Sequence, residues 1–251
     1  WLGDPRGLPP FPHRRSSDLR RQARRLRVSL ASLCHLAWGQ VLARASDRQS
    51  VVFGTVLFGR MNAGEGADSA MGLFINTLPL RLDLDETGVE ASVRRTHARL
   101  TELLQHEHAS LAMAQRCSGV PAEAPLFATM FNYRHNSTPP LPTAPQDSAD
   151  LGKNASDPAA TPLSQITWLS SEERTNYPIS LSVEDFGRSL GLTVQVVEPL
   201  SPERVCGYMH QALESLADAL EEAPAMPVRQ LEVLPPAERT LLLETWNATE
   251  A

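Results

Sequence analysis

The stretch Val51-Val-Phe-Gly-Thr-Val-Leu57 decides the fold class of this sequence. Its residues are almost all apolar and several are β-branched, which is typical of a short strand buried on both faces of a sheet. A second strand is predicted over residues 73–83. Pro79 lies inside it, and because proline cannot donate to a ladder, this part of the strand should lie at a sheet edge or a bulge.

Two later segments extend the predicted sheet. Residues 126–133 have the composition of a third strand. Apolar and polar side chains alternate over residues 179–184 and again over residues 190–196, on either side of the turn Asp185-Phe-Gly-Arg-Ser189. This pattern predicts two half-buried strands joined as a hairpin.

Helical periodicity appears between and around these strands. Apolar residues spaced by three and four predict one long amphipathic helix over residues 19–41, with arginines along its polar side. Further helices are predicted over residues 89–104, 111–117, 205–220 and 235–246. Ser201 is the expected N-cap of the third of these, with Pro202 in its first turn. Strands mixed with helices indicate the α/β fold class, a mixed β-sheet with helices packed on it.

The same patterns divide the chain into three predicted parts. Residues 1–18 form an irregular N-terminal segment, residues 19–234 form one lobe, and residues 235–251 form a linker. Within the lobe, residues 137–164 are rich in proline, alanine, serine and aspartate and show no periodicity. A flexible loop is expected there, either a passive surface insertion or a docking element.

The composition is that of an ordinary globular protein. The 251 residues are 42% hydrophobic and 21% charged, with a formal net charge of −6. This acidic balance disfavours a dedicated nucleic-acid-binding protein. No apolar run reaches the roughly 20 residues that a membrane-spanning helix needs, and no signal-peptide pattern opens the sequence, so a cytoplasmic protein is expected. The 3 cysteines include no CxxC pair, which argues against a disulfide framework and a cysteine zinc site.

The residues alone show no catalytic machinery. The sequence has no P-loop, no GxSxG elbow and no HExxH helix. His106 and His108 would point away from each other on a helix, so a solvated helix end is favoured over a zinc site. The arginines between residues 14 and 27 form either a solvated helix face or a phosphate-binding surface. His35 lies beside the apolar stripe of its helix and is expected to be partly buried.

Four ordered stretches resemble one protein family. Residues 52–60 are similar to the strand and loop "vvfG…GR" of nonribosomal peptide synthetase condensation domains. The stretch Gly72-Leu-Phe-Ile-Asn-Thr-Leu-Pro-Leu-Arg81 matches that family's GxFxNTxxxR motif. Arg174-Thr-Asn-Tyr-Pro-Ile179 resembles its late RxNxP motif, and Leu241-Leu-Leu-Glu-Thr-Trp-Asn-Ala-Thr249 resembles the junction with an adenylation domain. Two further stretches, residues 126–135 and 176–187, are most similar to the dual epimerisation/condensation subtype.

The sequence also departs from the family in its catalytic motif. That motif is HHxxxDG, and this sequence has neither adjacent histidines nor an HxxxD. In the family the motif lies in an N-terminal lobe, so the resemblance implies the C-terminal lobe alone, a single chloramphenicol-acetyltransferase-like lobe. The family's HQxxPF-type motif is degraded to Gln105-His-Glu-His-Ala-Ser-Leu111. The resemblance therefore implies no catalytic residue and no metal ligand in this chain.

The implied function is one wall of a cleft in which an amide bond is made between carrier-bound aminoacyl or peptidyl thioesters. No cofactor would bind directly, because the substrates arrive on the phosphopantetheine of carrier proteins. The implied partners are the N-terminal condensation lobe, peptidyl or acyl carrier proteins and a downstream adenylation domain, with no nucleic acid and no membrane. The chain is expected to be inactive alone and to self-associate through its uncovered cleft face. The alternative is a non-catalytic module that docks carrier proteins.

Three glycines and one arginine are candidates for the cleft. Gly54, Gly59 and Gly72 would allow close approach of a pantetheine arm, although a plain strand or turn role explains such glycines equally well. Arg60, at the end of a strand, would bridge to the N-terminal lobe or its motif aspartate, or else is a surface arginine.

The remaining candidates lie in the other motifs. Asn76 and Thr77 are polar residues in an apolar strand, and they either hydrogen-bond to backbone groups or face the cleft. Arg174 and Asn176 precede a proline that restrains the chain, which suits either a fixed loop at the cleft or the start of a strand. Trp246 is expected to anchor the linker by packing.

Overall fold

A computed structural model gives the fold of the chain and describes residues 12–58, 72, 74–135 and 175–248. In this part of the chain, five strands form one sheet in the order β2-β1-β3-β4-β5. The strands are β1 (Ser50–Phe58), β2 (Ile75–Asp83), β3 (Thr129–His135), β4 (Ile179–Asp185) and β5 (Leu190–Val196). β1, β3 and β4 run parallel, and β2 and β5 pair antiparallel at the two edges. The predicted α/β class with a mixed sheet is confirmed.

The sheet follows the sequence signals closely. β1 lies between β2 and β3, and Pro79 lies in the edge strand β2, where the missing N–H breaks no inner ladder. β4 and β5 form the predicted hairpin, closed by the pair Asp185 and Leu190. β3 begins at Thr129 and not at residue 126, because Phe127 is used for packing over β1 and not for pairing.

The helices begin and end close to the predicted boundaries with one exception. They are α1 (His13–Leu26), α2 (Leu30–Ser46), α3 (Val89–Leu104), α4 (Leu111–Cys117), α5 (Pro202–Glu222) and α6 (Pro236–Thr240). Ser201 caps α5 as predicted, its side chain accepting a hydrogen bond from the N–H of Arg204. α6 continues into a π-helical turn, Leu241–Thr245, and a 3-10 turn covers Val228–Gln230. No helix among the described residues has the length and apolar character needed to cross a membrane.

The single long helix predicted over residues 19–41 is wrong, because the structure has two helices there. Arg27 adopts the left-handed conformation (φ 56°) and ends α1, and the Ser29 side chain then caps α2 by accepting from the N–H of Ser32. The apolar stripe continues across the break because Leu26 and Leu30 enter the same core. α1 also begins at His13, inside the segment expected to be irregular.

The hydrophobic core lies between the helices and one face of the sheet. Trp38 of α2 packs there with Phe53 of β1 and Phe131 of β3, and all three are fully buried. Side chains alternate along a strand, so the strand residues next to Phe53 and Phe131 in the sequence point to the opposite face of the sheet. Helices α1, α2, α3 and α5 pack against one another over the core face, and α4 contacts the edge strand β2. We call the opposite face of the sheet the helix-free face. Val52, Phe58 and Ile75 are exposed on it.

Candidate functional site

Several of the predicted site residues fall outside the described part of the chain. These are Gly59, Arg60 and Arg174, together with the proposed loop at residues 137–164. Asn176 is described and is exposed in the bend before β4. Gly72 is also described and exposed, and a Cβ at this position would lie 3.1 Å from the Phe74 ring. The structure therefore gives the geometry of the remaining candidates on β1, β2 and the segment after α6.

Gly54 provides space for an aromatic ring. A Cβ at this position would lie 2.7 Å from Cζ and 2.9 Å from Cδ2 of Phe127. Phe127 in turn stacks on Tyr177, with ring centroids 5.5 Å apart and an angle of 22° between the planes. The close approach expected at this glycine is thus made by Phe127 of the same chain. Neither aromatic residue was among the predicted site residues, although each stands two positions before the start of a strand, β3 or β4.

Asn76 and Thr77 have different positions. The side-chain amide of Asn76 donates to the carbonyls of Glu107 and Ala109, both at 2.8 Å, and its Oδ1 accepts from the N–H of Thr77 at 2.9 Å. Asn76 therefore holds the turn after α3 on the sheet edge. Thr77 pairs with Val56 and lies on the helix-free face, so of the two only Thr77 faces the open side.

The turn held by Asn76 contains a buried carboxylate. Glu107 is 2% exposed, and within the described residues neither carboxylate oxygen has a hydrogen-bond partner. The exposed imidazole of His108 lies beside it, with Nε2 3.7 Å from Oε1. Sequence motifs drew attention only to the two neighbouring histidines and not to this glutamate. Among the described residues, no group of three His, Cys, Asp or Glu side chains could hold a metal.

A second buried carboxylate, Asp185, is fully paired at the end of β4. Its oxygens accept from both terminal nitrogens of Arg20, from the Tyr133 hydroxyl at 2.7 Å and from the Gly187 N–H at 2.8 Å. The His135 imidazole lies beside it, with Nδ1 3.4 Å from Oδ2. Burial by itself opposes ionisation, yet the hydrogen bonds from Arg20 and Tyr133 lower the pKa of Asp185 well below its usual value. This pairing fixes α1 to the sheet.

Three other arginines of α1 also bind carboxylates of this chain. Arg15 pairs with Asp218 at 2.5 Å and Arg21 with Glu221 at 2.9 Å, both on α5, and Arg25 pairs with Glu90 of α3 at 3.3 Å. The predicted solvated face is therefore in part an ion-paired contact between helices. Because these guanidinium groups already bind carboxylates of the chain, the structure does not favour the alternative of a phosphate-binding surface on α1.

His35 is a core residue. It is 4% exposed, its Nδ1–H donates to the Ala31 carbonyl at 2.6 Å, and its Nε2 accepts from the Thr55 hydroxyl at 2.7 Å. The ring also contacts Phe131 edge-on, with centroids 4.4 Å apart. Desolvation lowers the pKa of His35 to about 4, so the side chain is neutral at physiological pH. It is more deeply buried than expected and has no access to a ligand.

Trp246 does not anchor the C-terminal segment within the described residues. It is 59% exposed, and Leu243, three residues earlier, is 53% exposed. The segment is held by Glu238 of α6, which accepts from the Tyr208 hydroxyl at 3.0 Å and pairs with Arg204, both on α5. The contacts of Glu238 with Tyr208 and Arg204 therefore hold this segment on α5, where we predicted packing by Trp246.

Comparison with known proteins identifies the family. The condensation domain family matches residues 11–243. Malpinin synthetase and malpibaldin synthetase of Mortierella alpina are 58% and 53% identical to the chain over 231 and 241 residues, which are 92% and 96% of its length. The chain spans only 3% and 4% of the length of these two relatives.

A solved structure has the same fold. The solved first condensation domain of the CDA synthetase superposes with a TM-score of 0.61 at 16% sequence identity, covering 94% of this chain and 48% of that domain's chain. The family match, by contrast, rests on sequence and extends over most of the chain. With the five-stranded mixed sheet and its helices, these matches show that the chain belongs to the condensation domain family of nonribosomal peptide synthetases.

Proposed function

We propose that the chain is the C-terminal half of a condensation domain and forms one wall of the cleft in which an amide bond is made between two carrier-bound thioesters. The N-terminal half, with its HHxxxDG motif, would be supplied by polypeptide outside this sequence. Its other partners would be peptidyl or acyl carrier proteins and an adenylation domain. A cytoplasmic location is part of the same proposal.

The observation that carries the proposal is the coverage of the structural match. Almost the whole chain, 94%, superposes on a condensation domain, yet it accounts for only 48% of that neighbour. The sequence correspondingly lacks adjacent histidines and an HxxxD. The sheet has helices on one face, and its helix-free face is available for a second lobe. A cleft between two lobes requires such an arrangement.

The reaction needs this wall for positioning. The amine nitrogen of the acceptor attacks the thioester carbonyl carbon of the donor; a C–N bond forms, the C–S bond breaks, and the proton lost by the amine ends on the departing thiol. Holding two tethered reactants together replaces a bimolecular encounter, which is a large part of the rate gain. A histidine of the N-terminal half would handle the proton.

The residues of this chain would act by binding and orienting the substrates. Thr77 and the stacked pair Phe127 and Tyr177 lie on or beside the helix-free face and are the described candidates for lining the cleft. Arg60 and Arg174 remain proposed as residues at the boundary between the lobes. Asn176, exposed next to Tyr177, is proposed for the cleft rim.

The test is dipeptide formation on carrier proteins, followed by intact-protein mass spectrometry. The chain is incubated alone with an aminoacyl donor carrier and an aminoacyl acceptor carrier, and the complete condensation domain is assayed in parallel. We expect product only with the complete domain, and loss of that product when the second histidine of its HHxxxDG motif is replaced by alanine. Product formation by the chain alone at a similar rate would refute the proposal. Saturable binding of carrier protein with no product in either assay would favour the docking module.

A further inference from the structure

A polar cavity lies at the C-terminal end of α2. It has a volume of about 490 Å³, which is within the range of small-molecule sites. The last turn of α2 and the residues that follow it form one wall, and residues from the segment after β2 and from the 3-10 turn Val228–Gln230 complete the lining. The polar lining includes Arg44, Arg48, Arg229 and Asp47, with Gln40 among them. The cavity contains none of the residues proposed for the cleft wall.

Gln40 brings a buried acceptor without a donor to this cavity. The residue is only 1% exposed. Its side-chain nitrogen donates to the carbonyls of Arg229 at 3.3 Å and Leu231 at 3.2 Å, and these two bonds fix the orientation of the carboxamide. Its Oε1 has no hydrogen-bond partner within the described part of the chain. Because a buried acceptor without a donor is unfavourable, this position is suited to a ligand with a hydroxyl or N–H group.

The arginines of the cavity have donors available for a ligand. Arg48 forms no ion pair within the described residues. Arg44 donates one N–H to the Arg229 carbonyl, and since a guanidinium has five N–H donors, the others remain available. Arg229 differs, because its Nε lies 2.5 Å from Oε1 of Glu86. Stabilisation of the helix dipole accounts for Arg44, in the last turn of α2, but not for Arg48, which lies beyond the helix.

The charges around the cavity indicate what kind of ligand fits. Three arginines against the two carboxylates of Asp47 and Glu86 leave one positive charge in excess. Guanidinium groups bind oxyanions through paired hydrogen bonds. A phosphate group offers three terminal oxygens to Arg44 and Arg48, whereas a carboxylate offers only two. A hydroxyl group on the same ligand would supply the donor that Gln40 Oε1 needs.

From these observations we propose that the cavity binds a small phosphate ester that carries a hydroxyl group. The phosphate would bind the guanidinium groups of Arg44 and Arg48, and the hydroxyl would donate to Gln40 Oε1. Asp47, which also lines the cavity, weakens the binding of the anion. The site is separate from the cleft wall, so the proposal does not depend on the proposed function.

The test is isothermal titration calorimetry of the 251-residue chain with sn-glycerol 3-phosphate, in a phosphate-free buffer of low ionic strength. Methyl phosphate, which lacks the hydroxyls, and D-glycerate, which has a carboxylate in place of the phosphate, are titrated in parallel. We expect saturable binding of glycerol 3-phosphate. The other two compounds should bind at least about threefold more weakly, because each lacks one of the two recognised groups.

Two variants and one control locate the binding. Arg48→Gln should raise the dissociation constant of glycerol 3-phosphate at least about fivefold, because it removes a charged donor. Arg188→Gln, at an exposed arginine in the turn between β4 and β5, is the matched control and should bind as the wild type does. Asp47→Asn should lower the dissociation constant, because it removes a charge that repels the phosphate. Asparagine tolerates the left-handed backbone of this position (φ 51°).

The possible outcomes separate this proposal from a general effect of charge. Absence of saturable binding to the wild-type chain would overturn the proposal, and so would equal affinities of Arg48→Gln and Arg188→Gln. Equal affinity for methyl phosphate would contradict the role of Gln40, and equal affinity for D-glycerate would contradict the choice of a phosphate. Circular dichroism checks the folding of each variant. Should Arg48→Gln unfold, Asp47→Asn replaces it, and an unchanged or raised dissociation constant there would overturn the proposal.

Discussion

Replacing Gly54 with alanine tests the aromatic pair on the helix-free face. The new Cβ would lie within 3 Å of three atoms of the Phe127 ring, a separation that real Cβ atoms essentially never show. Phe127 is 7% exposed and is itself stacked on Tyr177, so the ring has little room to withdraw. Either the ring pair moves or the strand does.

The expected cost follows from this crowding. Inserting a methyl group into a well-packed site typically costs about 1–3 kcal/mol, and we expect Gly54→Ala to lower the free energy of unfolding by that amount. Gly207→Ala is the matched control. Its Cβ would lie 3.6 Å from Cγ of Pro235, an ordinary contact, and alanine inside α5 should stabilise the protein by up to about 1 kcal/mol.

Urea denaturation followed by circular dichroism measures both effects. A double-mutant cycle then adds Phe127→Ala, and in that background Gly54→Ala should cost close to nothing because the ring is gone. A Gly54→Ala variant as stable as the wild type would refute the predicted crowding, and so would an equal loss with and without the Phe127 ring. Either result would mean that Phe127 does not lie over Gly54.

Four further predictions concern buried charges and the open face. Because His35 has a pKa of about 4 in the fold against about 6.5 when unfolded, stability should be nearly constant above about pH 7 and fall by about 3 kcal/mol as the pH drops to 4. Half-buried His210, whose pKa is also lowered by desolvation, acts in the same direction. His35→Gln should flatten the profile in urea titrations at each pH. Arg20→Ala should cost about 3–5 kcal/mol because it leaves the buried Asp185 carboxylate without its guanidinium partner. Adding Asp185→Asn should recover part of the loss, and no recovery would contradict the pairing. Glu107→Gln should raise the urea midpoint, since it removes a buried charge without hydrogen bonds, and a lower midpoint would show that the carboxylate is paired. The exposed apolar side chains of the helix-free face should make the chain self-associate in sedimentation experiments, whereas monodisperse monomers at high concentration would count against an uncovered face.

Local sequence signals predicted most of the elements. Pro79 indicated that β2 lies at an edge, alternation identified the hairpin of β4 and β5, and Ser201 marked the start of α5. Periodicity failed where one apolar stripe continued over two helices, although Ser29 carried the cap signal that separates them. A hydrophobic pattern indicates which face of a helix is buried. It does not indicate a residue such as Arg27, whose left-handed backbone conformation ends the helix.

The candidate site was less predictable because its contacts join distant parts of the chain. Arg15 is paired with Asp218 and Arg20 with Asp185, and no local pattern indicates such partners. The role of Gly54 depends on Phe127, and the role of Asn76 depends on the carbonyls of the turn after α3. The spacing of residues along the sequence identifies side chains that share a face of one helix or strand. Only the folded structure shows which side chains from different elements contact each other.

Split complementation tests whether this chain is one half of a catalytic unit. The separately expressed N-terminal half, carrying HHxxxDG, is titrated into a fixed concentration of the chain with both loaded carrier proteins present, and the initial rate of dipeptide formation is measured. We predict a rate that is zero without the N-terminal half and rises to a plateau as the two halves associate. A rate that is independent of the added half would contradict the claim.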